Sequence, residues 1–303
     1  MPDIINFKDL KQIINSRTKE LEFIKYLKQF SNKTIVIKYG GSALETTQKI
    51  SYLVDDLIFL KQQNINAVLI HGGSRQLNNR LKTQNIKNEV IDGIRVTTKE
   101  ILGYAIEVFK QVNDLIVKEI NLKGHGKVKA IGFNGHEIPI VISDFLDKEK
   151  YQYVGKVKKI ETKYLNVLKS EYIPVLSSLS VTSDGQPLNV NADTGSAKVA
   201  IALQAEKYIL MTDTDGILDA NGRLVSSIDY KLVQKMLGQN TIFGGMIPKI
   251  KACLDALEGG VKKVHIINGT KPYSLAKELF TDEGIGTEII GSSKTQKETH
   301  VRV

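Results

Sequence analysis

The sequence has no tryptophan, a single cysteine and only six prolines among its 303 residues. One cysteine, Cys253, cannot form an internal disulfide, so a reducing compartment is expected, with the thiol packed in the core rather than acting as a nucleophile. The few prolines form no proline-rich linker between domains. These absences argue against a disulfide-stabilised secreted protein and against a chain of loosely linked domains.

Long apolar runs are also absent. The longest, such as AVLI and TIVI, are strand-sized and far below the roughly 18 residues of a membrane helix. The N-terminus has neither the apolar segment of a secretory signal nor the acid-poor composition of a transit peptide. The sequence therefore predicts no membrane partner, and a cytoplasmic location or, if the gene is plastid-encoded, the plastid stroma.

Positive charge is in excess, with a formal net charge of +9, but only six of the 42 basic residues are arginine. The excess permits binding of nucleic acid or of an anionic small ligand. The lysines are scattered, so a solvated surface is favoured over nucleic-acid binding, which would depend steeply on salt. Scarce arginine with abundant isoleucine and asparagine indicates an AT-rich genome, such as that of a plastid.

Strand-like and helix-like patterns alternate along most of the chain, except over 134–190, where short pieces predict hairpins. The predicted fold class is α/β, with an open, largely parallel central sheet sandwiched by helices, a hairpin-rich insertion and an extra N-terminal helix over 7–30. Strands are expected at 34–41, 66–73, 128–133, 172–177, 207–213, 262–269 and 286–290. Helices are expected at 46–64, 74–83, 97–124 (as one or two), 193–205, 229–238, 244–260 and 274–280.

Two glycine turns follow neighbouring strands. Lys38 precedes the turn Gly40–Gly41, and the turn Gly72–Gly73 lies within VLIHGGSRQ. Ligands of open α/β sheets bind beyond the carboxyl ends of the strands, where exposed backbone N–H groups and helix N-termini favour anions. The glycine fingerprints of Walker-type NTPases and of dinucleotide-binding dehydrogenases are both missing, which argues against these two classes.

Further polar residues fall near the predicted ends of elements. Pro248 suits the first turn of a helix, which places Lys249 where the helix dipole disfavours a cation unless an anion is nearby. Asp193 either caps the helix that follows it or takes part in chemistry. If the chain is extended there, Asn189 and Asn191 share a face with Asp193.

Arg95 could capture a carboxylate with its planar fork or form a surface ion pair. The five histidines show no spacing typical of metal ligands, so no metal site is predicted. A Ser-His-Asp arrangement with a nucleophile elbow is not visible either.

Taken together, these segments resemble the amino-acid kinase family over about residues 31–291. The order and spacing of the motifs match as a set, and DGIRVT and NVNAD favour the acetylglutamate branch over the aspartate, glutamate, carbamate and nucleotide kinases. The motifs are KYGGSAL at 38–44, HGGSRQL at 71–77, DGIRVT at 92–97, LNVNADTGSAKVA at 188–200, LMTDTDGIL at 210–218, GGMIPKI at 244–250 and GVKKVHIINGT at 260–270.

The resemblance implies ATP-dependent phosphorylation of the γ-carboxylate of N-acetyl-L-glutamate, an early step of arginine biosynthesis, with Mg²⁺ bridging the phosphates and no prosthetic group. Lys38 and Lys249 would contact the transferred phosphoryl group, and Asp193 would hold both ammonium groups. The resemblance further implies substrate contacts from Gly73, Ser74, Arg95, Asn189 and Asn191, and nucleotide contacts from Gly40, Gly41, Asp213, Asp215 and Gly216.

Arginine sensitivity is implied as well, since the extra helix resembles that of arginine-inhibited members, in which such helices interlace and join dimers into a homo-hexamer. The alternative is a helix packed on its own subunit. Candidate arginine contacts are Tyr26, His265, Glu283 and Gly286. The implied organisation is an oligomerisation and regulatory helix at 1–30, an acetylglutamate-binding and dimerisation lobe at 31–190, and a lobe with the ATP and arginine sites at 191–303. In a photosynthetic source, a PII signalling protein would be a candidate partner.

Four residues depart from the family pattern: Ser74, Arg75, His136 and Tyr153. Ser74 and Arg75 stand where the family usually has glycine and proline. If residue 74 requires a positive φ, serine costs roughly 1–2 kcal/mol, and otherwise the change is mild. Two rival functions stay open: another amino-acid kinase with a different carboxylate substrate, and a non-catalytic sensor that retains the fold.

Overall fold

The computed structural model describes residues 16–44, 46–135, 137–219, 221–239, 242 and 244–291. Residues 7–15 of the predicted N-terminal helix and the departure at His136 lie outside these ranges. The helices are α1 (Arg17–Phe30), α2 (Thr47–Gln62), α3 (Ser74–Thr83), α4 (Lys99–Lys123), α5 (Thr162–Leu168), α6 (Ala192–Ala202), α7 (Tyr230–Gly238), α8 (Met246–Glu258) and α9 (Ser274–Phe280). The strands are β1 (Thr34–Tyr39), β2 (Asn66–His71), β3 (Val90–Ile91), β4 (Ile94–Arg95), β5 (Lys129–Phe133), β6 (Val141–Phe145), β7 (Gly155–Ile160), β8 (Tyr172–Ser177), β9 (Leu179–Val181), β10 (Pro187–Asn189), β11 (Lys207–Thr212), β12 (Ser227–Asp229), β13 (Lys263–Asn268) and β14 (Thr287–Ile290).

One eight-stranded sheet forms the centre, in the order β12-β14-β13-β11-β1-β2-β8-β5. The strands from β13 to β5 in that order are parallel, and β14 runs antiparallel to β13. Tyr39 of β1 lies level with Met211 of β11 on one side and with His71 of β2 on the other. The prediction of an open, largely parallel sheet shared by both halves of the chain is confirmed.

Strand β1 is buried along its whole length, as expected of an apolar run in a central parallel strand. Ile35, Ile37 and Tyr39 belong to the apolar cluster that includes α1, α2, α4 and α9, whereas Val36 belongs to the cluster that includes α6 and α8. Because side chains alternate along a strand, Lys38 points toward the α6 and α8 face.

Short polar residues cap several helices. Ser16, Thr46, Thr98 and Asp229 each accept a hydrogen bond from the backbone N–H three residues ahead. The segment 97–124, predicted as one or two helices, forms the single helix α4.

Residues 134–190 contain the predicted hairpin-rich insertion. Strands β6, β7, β9 and β10 form a separate four-stranded sheet in the order β10-β9-β6-β7, and β8 joins the central sheet. Helix α5 was missed from the sequence, although its Leu165 is fully buried. With seven residues, α5 is too short for a helical apolar period to show clearly.

Helix α1 packs on its own subunit. Phe23 and Phe30 lie against Phe280 of α9, with ring centroids 5.1 and 6.3 Å apart. Leu21 and Ile24, which belong to the apolar pattern seen in the sequence, are 62% and 40% exposed. The described part of the helix thus contacts its own subunit, and both its role in joining dimers and the alternative stay predictions.

The structure bears on two expectations from composition, one about the single thiol and one about membrane-spanning helices. Cys253 is fully buried in α8, as expected of a packed thiol, and burial raises its pKa. Among the helices that the structure describes, none has the length and apolar character needed to cross a membrane.

A buried carboxylate connects α2 to α9. Asp56 is 2% exposed, and its Oδ2 accepts a hydrogen bond from the backbone N–H of Leu275 over 2.9 Å. Burial raises the pKa of Asp56 to about 7, against the lowering effect of the backbone N–H groups at the start of α9. The carboxyl group therefore changes charge near neutral pH inside the apolar core.

We expect the substitution Asp56→Asn to make stability less dependent on pH. The pKa is higher in the folded protein than in the unfolded chain, so the unfolded chain loses this proton first as pH rises. The free energy of unfolding should therefore fall between about pH 4 and about pH 7 and lose nothing more from this group above that range. The asparagine side chain keeps an oxygen for the Leu275 N–H but carries no charge.

The measurement is urea unfolding of both proteins near pH 5 and near pH 8. The loss of stability between the two pH values should be smaller in the variant. Equal losses in the two proteins would show that Asp56 does not titrate in the folded state as described.

Candidate active site

The carboxyl ends of β11, β1 and β2 lie side by side in the central sheet. The turn Gly40–Gly41 follows β1, the turn Gly72–Gly73 follows β2, and Asp213 follows β11. A hydrogen bond from the backbone N–H of Gly72 to the carbonyl of Tyr39, 2.9 Å long, joins the two turns. Both glycine turns therefore sit at one edge of the sheet, in the neighbouring places that the sequence predicted.

Lys38, Asp193 and Lys249 meet at this edge and form an ion triad. Lys38 lies in β1, and the other two residues lie in the first turns of α6 and α8. Asp193 Oδ1 is 2.7 Å from Lys38 Nζ, and Asp193 Oδ2 accepts a hydrogen bond from Lys249 Nζ over 3.0 Å. The side chain of Lys38 is 6% exposed, that of Asp193 8% and that of Lys249 19%. Two ammonium groups therefore share one carboxylate, and the remaining positive charge is largely shielded from water.

Burial and charge act in opposite directions in the ion triad. Burial lowers the pKa of Lys38 because it penalises the ammonium form, and the charge of Asp193 opposes that shift. Burial alone would raise the pKa of Asp193, but the two lysines outweigh it and hold the pKa below its usual range. Asp193 is therefore ionised at neutral pH, which suits holding cations rather than transferring a proton.

Asn191, not Asp193, caps helix α6. The side-chain oxygen of Asn191 accepts hydrogen bonds from the backbone N–H groups of Asp193 and Thr194 over 3.0 and 3.1 Å. The reading of Asp193 as the cap is therefore wrong, and its position inside the first turn leaves its carboxylate to the lysines. The shared extended face is also wrong, because β10 ends at Asn189 and the helix begins before Asp193.

Two glycines at this edge leave little room for a side chain. A Cβ on Gly40 would lie 2.7 Å from Lys38 Nζ, and a Cβ on Gly73 would lie 2.5 Å from Cδ1 of Phe109. Ser74 is the first residue of α3 and does not have a positive φ. Serine at this position therefore carries no left-handed strain, and the milder of the two alternatives for this departure applies.

Arg95 of β4 reaches the glycine turn after β2. Its Nη2 donates to the backbone carbonyl of Ser74 over 3.5 Å, and its guanidinium also bonds to the side-chain oxygens of Asn78 and Asn88. Burial lowers the pKa of Arg95. The oxygens that accept these hydrogen bonds, within the described part of the chain, are all uncharged. The guanidinium charge of Arg95 is therefore not neutralised by them and can attract a carboxylate.

Asn189 is tied to the same region through Thr97. Asn189 Nδ2 donates to Thr97 Oγ1 over 3.1 Å, and Thr97 Oγ1 lies 3.3 Å from the carbonyl of Arg95. The backbone N–H of Asn189 donates to the carbonyl of Tyr153, and the N–H of Tyr153 donates to the carbonyl of Thr97, both over 2.9 Å. The departure at Tyr153 thus leaves this backbone pairing in place. Gly73, Ser74, Arg95 and Asn189 are brought together, whereas the oxygen of Asn191 is used by the helix cap.

The predicted nucleotide residues divide into two groups. Gly40, Gly41 and Asp213 lie together, and Asp213 Oδ2 is 3.9 Å from the place of a Cβ on Gly41. Gly41 has φ of +72°, which favours glycine. These three residues border the ion triad and could face a phosphate chain.

Asp215 and Gly216 have other contacts. Asp215 Oδ1 accepts from Asn268 Nδ2 over 2.8 Å and lies 2.6 Å from Lys271 Nζ, and this lysine bond lowers the pKa of Asp215. A Cβ on Gly216 would lie 2.5 Å from Thr287 Oγ1, so this glycine packs against β14. Both residues shape the loop after β11, and their predicted contact with nucleotide stays a prediction.

His71 is structural. Its Nδ1 lies 2.8 Å from the carbonyl of Gly72, and its Nε2 lies 3.1 Å from Nδ2 of Asn113. Burial lowers the pKa of His71 to about 4, so the ring is neutral, with Nδ1 as donor and Nε2 as acceptor. Over the residues that the structure describes, no group of three His, Cys, Asp or Glu side chains could hold a metal ion.

Tyr208 and Ser196 support the triad and were missed from the sequence. The Tyr208 hydroxyl donates to the backbone carbonyl of Asp193 over 3.2 Å and lies 2.8 Å from Ser196 Oγ. Both side chains are fully buried. A tyrosine within the apolar run KYILMT was the available signal, since a buried hydroxyl needs a partner.

The four candidate arginine residues lie where α1, α9 and β13 meet. Tyr26 OH donates to Asp282 Oδ1 over 2.5 Å, and Lys19 Nζ is 3.4 Å from Glu283 Oε2. Burial and the Asp282 carboxylate raise the pKa of Tyr26 to about 12. Helix α1 therefore holds the segment 282–283 by charged and polar contacts.

His265 belongs to a buried polar cluster beside this segment. His265 Nδ1 bonds to Glu278 Oε1 over 2.6 Å, and its Nε2 lies 2.9 Å from Lys207 Nζ. Burial lowers the pKa of His265 and that of Lys207, the latter to about 8. Glu278 Oε2 also accepts from the N–H groups of Ile285 and Gly286. Lys207 and Glu278 were missed, although Lys207 begins the buried strand β11 and Glu278 lies among the buried apolar residues of α9.

The comparisons with known proteins agree with this architecture. A model of the amino acid kinase family matches residues 33–268. An acetylglutamate kinase from Campylobacter hominis is 37% identical over 281 residues, which cover 91% of this chain and 98% of that protein.

Solved structures extend the likeness to three dimensions. N-acetylglutamate synthase from Neisseria gonorrhoeae, complexed with coenzyme A and N-acetyl-glutamate, has a TM-score of 0.83 and 27% identity, and the match covers 91% of this chain and 63% of the synthase. Its complex with coenzyme A and L-arginine has a TM-score of 0.80 and 26% identity, covering 90% and 65%. Carbamate kinase from Giardia lamblia bound to AMP-PNP, at 11% identity, 86% and 99% coverage and a TM-score of 0.64, shares the fold alone. The chain belongs to the amino acid kinase family and, within it, to the acetylglutamate kinases.

Proposed function

We propose that the protein transfers the γ-phosphoryl group of ATP to the γ-carboxylate of N-acetyl-L-glutamate, an early step of arginine biosynthesis. The observation that carries the proposal is the ion triad, in which Asp193 holds Lys38 and Lys249 at 2.7 and 3.0 Å beside two glycine turns. The name of the Campylobacter hominis relative, acetylglutamate kinase, supports the choice of substrate.

The reaction needs alignment and charge neutralisation more than proton transfer. The γ-carboxylate has an ordinary pKa of ~4.3, so it is ionised at neutral pH and needs no base. One of its oxygens forms a bond to the γ-phosphorus while the bond from that phosphorus to the β,γ-bridging oxygen breaks. The products are N-acetylglutamyl 5-phosphate and ADP. Lys38 and Lys249 would neutralise the negative charge of the transferred group.

The two substrates would approach the triad from opposite sides. Arg95 would hold the α-carboxylate of N-acetylglutamate, with Asn189 and the N–H groups of Gly73 and Ser74 beside it. The turn Gly40–Gly41 would hold the phosphates of ATP through backbone N–H groups. Mg²⁺ bound with ATP supplies further positive charge, and Asp213 is an oxygen donor of the type that this ion accepts.

We expect Lys38→Ala and Lys249→Ala each to lower kcat roughly 100- to 1000-fold, the usual effect of removing one positioned electrostatic donor. The matched control is Lys262→Ala, because Lys262 also pairs with a carboxylate, Glu206 at 3.0 Å, but lies 67% exposed and away from the triad. Thermal unfolding should accompany the assay, so that loss of fold is separated from loss of chemistry. Near wild-type turnover in either folded variant would refute the assignment.

The substrate itself is tested by a coupled ADP-release assay with N-acetylglutamate, glutamate and aspartate side by side. We expect turnover with N-acetylglutamate to exceed that with the other two, because neither free amino acid carries the acetyl group. Preference for glutamate or aspartate would show that the protein is a different amino-acid kinase, which is the first rival function. Nucleotide binding without turnover on any of them would favour a sensor.

We propose further that arginine inhibits the enzyme by binding where α1, α9 and β13 meet. Four acidic side chains gather there within reach of a guanidinium group: Glu278, Asp282, Glu283 and Glu288. Gly286 and Tyr26 would add polar contacts to the rest of the ligand. The L-arginine complex of the synthase with the same fold supports the choice of effector.

Oligomerisation through α1 is part of the same proposal. Leu21 and Ile24 give the described part of α1 an exposed apolar side, as expected of a helix that contacts a second subunit. A dimer of the central lobes joined into a hexamer by α1 would place the arginine site next to the contact between dimers.

We expect Glu283→Gln and Tyr26→Phe to raise the arginine concentration needed for half-inhibition. Loss of one hydrogen bond to a charged group of the ligand should weaken binding roughly tenfold or more. The readout is inhibition relative to each variant's own activity without arginine, with the exposed Glu20→Gln in the same helix as control. Unchanged inhibition in both variants would contradict the site, and light scattering of the wild type would test the hexamer.

A further inference from the structure

Arg75 forms an ion pair with Asp213 beyond the carboxyl ends of the central strands. It is the second residue of α3, directly beyond the turn Gly72–Gly73, and its Nη2 lies 3.4 Å from Asp213 Oδ2. Arg75 follows β2, Asp213 follows β11, and β1 lies between those two strands. The ion pair therefore spans the turn that follows β1, which is Gly40–Gly41.

The ion pair between Arg75 and Asp213 lies against the turn Gly40–Gly41. Asp213 Oδ2, the atom that meets Arg75, lies 3.9 Å from the place of a Cβ on Gly41. The phosphates of ATP are proposed to lie on this turn. A phosphate chain on Gly41 would thus come close to both members of the pair, repelled by Asp213 and attracted by Arg75.

The ion pair between Arg75 and Asp213 can be broken at little cost in free energy. The side chains of Arg75 and Asp213 are 48% and 39% exposed, and ion pairs this exposed contribute little to stability. Arg75 also lies in the first turn of α3, where the helix dipole disfavours a cation unless an anion is near. A polyphosphate offers several charged oxygens in the geometry that a guanidinium fork prefers.

The side chain of Arg75 points away from the residues that are proposed to bind N-acetylglutamate. Arg95 approaches the glycine turn after β2 from the β4 side, and Asn189 of β10 is tied to Arg95 through Thr97. Arg75 instead meets a residue of the loop after β11, on the far side of β1. The nucleotide is therefore the substrate that Arg75 faces.

We propose that Arg75 is a nucleotide-positioning residue, which exchanges Asp213 for a β- or γ-phosphate oxygen when ATP binds. The proposal rests on the assignment of the turn Gly40–Gly41 to the phosphates of ATP. Asp213, once released from Arg75, would be available as an oxygen donor for the Mg²⁺ that accompanies the nucleotide. The residue thus links the loop that holds one substrate to the site of the other.

The first test is calorimetric titration of the full-length protein with AMP-PNP in the presence of Mg²⁺, and with AMP. Arg75→Gln should raise the Kd of AMP-PNP roughly 10- to 100-fold, the range expected for one charge-assisted hydrogen bond. Arg75→Lys, which keeps the charge without the fork, should show a smaller rise. The Kd of AMP, which has no β- or γ-phosphate, should change far less in both variants.

Arg80→Gln is the matched control. Arg80 lies on the same helix, pairs with Glu107 at 3.2 Å, and has a similar exposure of 41% against 46% for its partner. Its substitution removes an arginine ion pair from α3 without touching the sheet edge. An AMP-PNP Kd for Arg75→Gln no higher than that for Arg80→Gln would overturn the proposal.

A double-mutant cycle tests the exchange itself, in metal-free solution with ADP as the probe. Asp213→Asn removes a competitor for Arg75 as well as a repelling charge, so it should tighten ADP binding. The gain should be several-fold larger in the wild-type background than in Arg75→Gln, because only there does a guanidinium remain to take up the phosphate. Equal gains in both backgrounds would mean that the two residues do not exchange partners.

Steady-state kinetics separate this proposal from the proposed function. The KM for ATP should rise in Arg75→Gln while the KM for N-acetylglutamate changes little, and the reverse split would overturn the nucleotide role. If the wild type binds AMP-PNP but phosphorylates none of the three amino-acid substrates, the proposed function fails. The titrations still decide the role of Arg75 in that case.

Discussion

One buried carboxylate that compensates two buried ammonium groups is the interaction on which the site depends. Lys38 and Lys249 come from different halves of the chain, and each would lose its hydration without Asp193 between them. The alternation of β1 turns Lys38 toward the face where α6 and α8 begin. The first turns of those helices then deliver the other two charges. The remaining positive charge is preorganised for a phosphoryl group in a place largely shielded from water.

Two neutral, hydrogen-bonded side chains, His71 and Tyr208, support the elements that carry the triad. His71 is an uncharged bridge between the turn after β2 and Asn113 of α4, while Tyr208 fixes the backbone at Asp193. Neither group is poised to transfer a proton near neutral pH. This matches a reaction in which the nucleophile is already a carboxylate, so that charge and alignment are the only contributions needed from the protein.

Strand β11 connects this site to the second charged region of the molecule. It begins at Lys207, beside His265 and Glu278, and it ends next to Asp213, close to the turn Gly40–Gly41. Its neighbours in the sheet are β13, which carries His265, and β1, which carries Lys38. A ligand that binds beneath α1 and shifts β13 would therefore act on strands that also position Lys38. The fold provides a short, packed connection between the proposed regulatory and catalytic regions.

The sequence by itself determined the alternation of most central strands with helices, the two glycine turns and the positions of Lys38 and Lys249, because these follow from local periodicity and backbone preference. It did not determine which of Asn191 and Asp193 caps α6, since both residue types suit a cap and only the exact start of the helix decides. It also missed α5, Tyr208, Lys207 and Glu278. The pairing of Arg75 with Asp213, 138 residues apart, and of Lys249 with Asp193, 56 residues apart, was decided by the tertiary structure. Such contacts depend on strand order and helix placement, which bring residues distant in sequence together and which no local pattern specifies. For Lys249 and Asp193 the physical reason is burial, because a charge removed from water needs a partner of opposite charge.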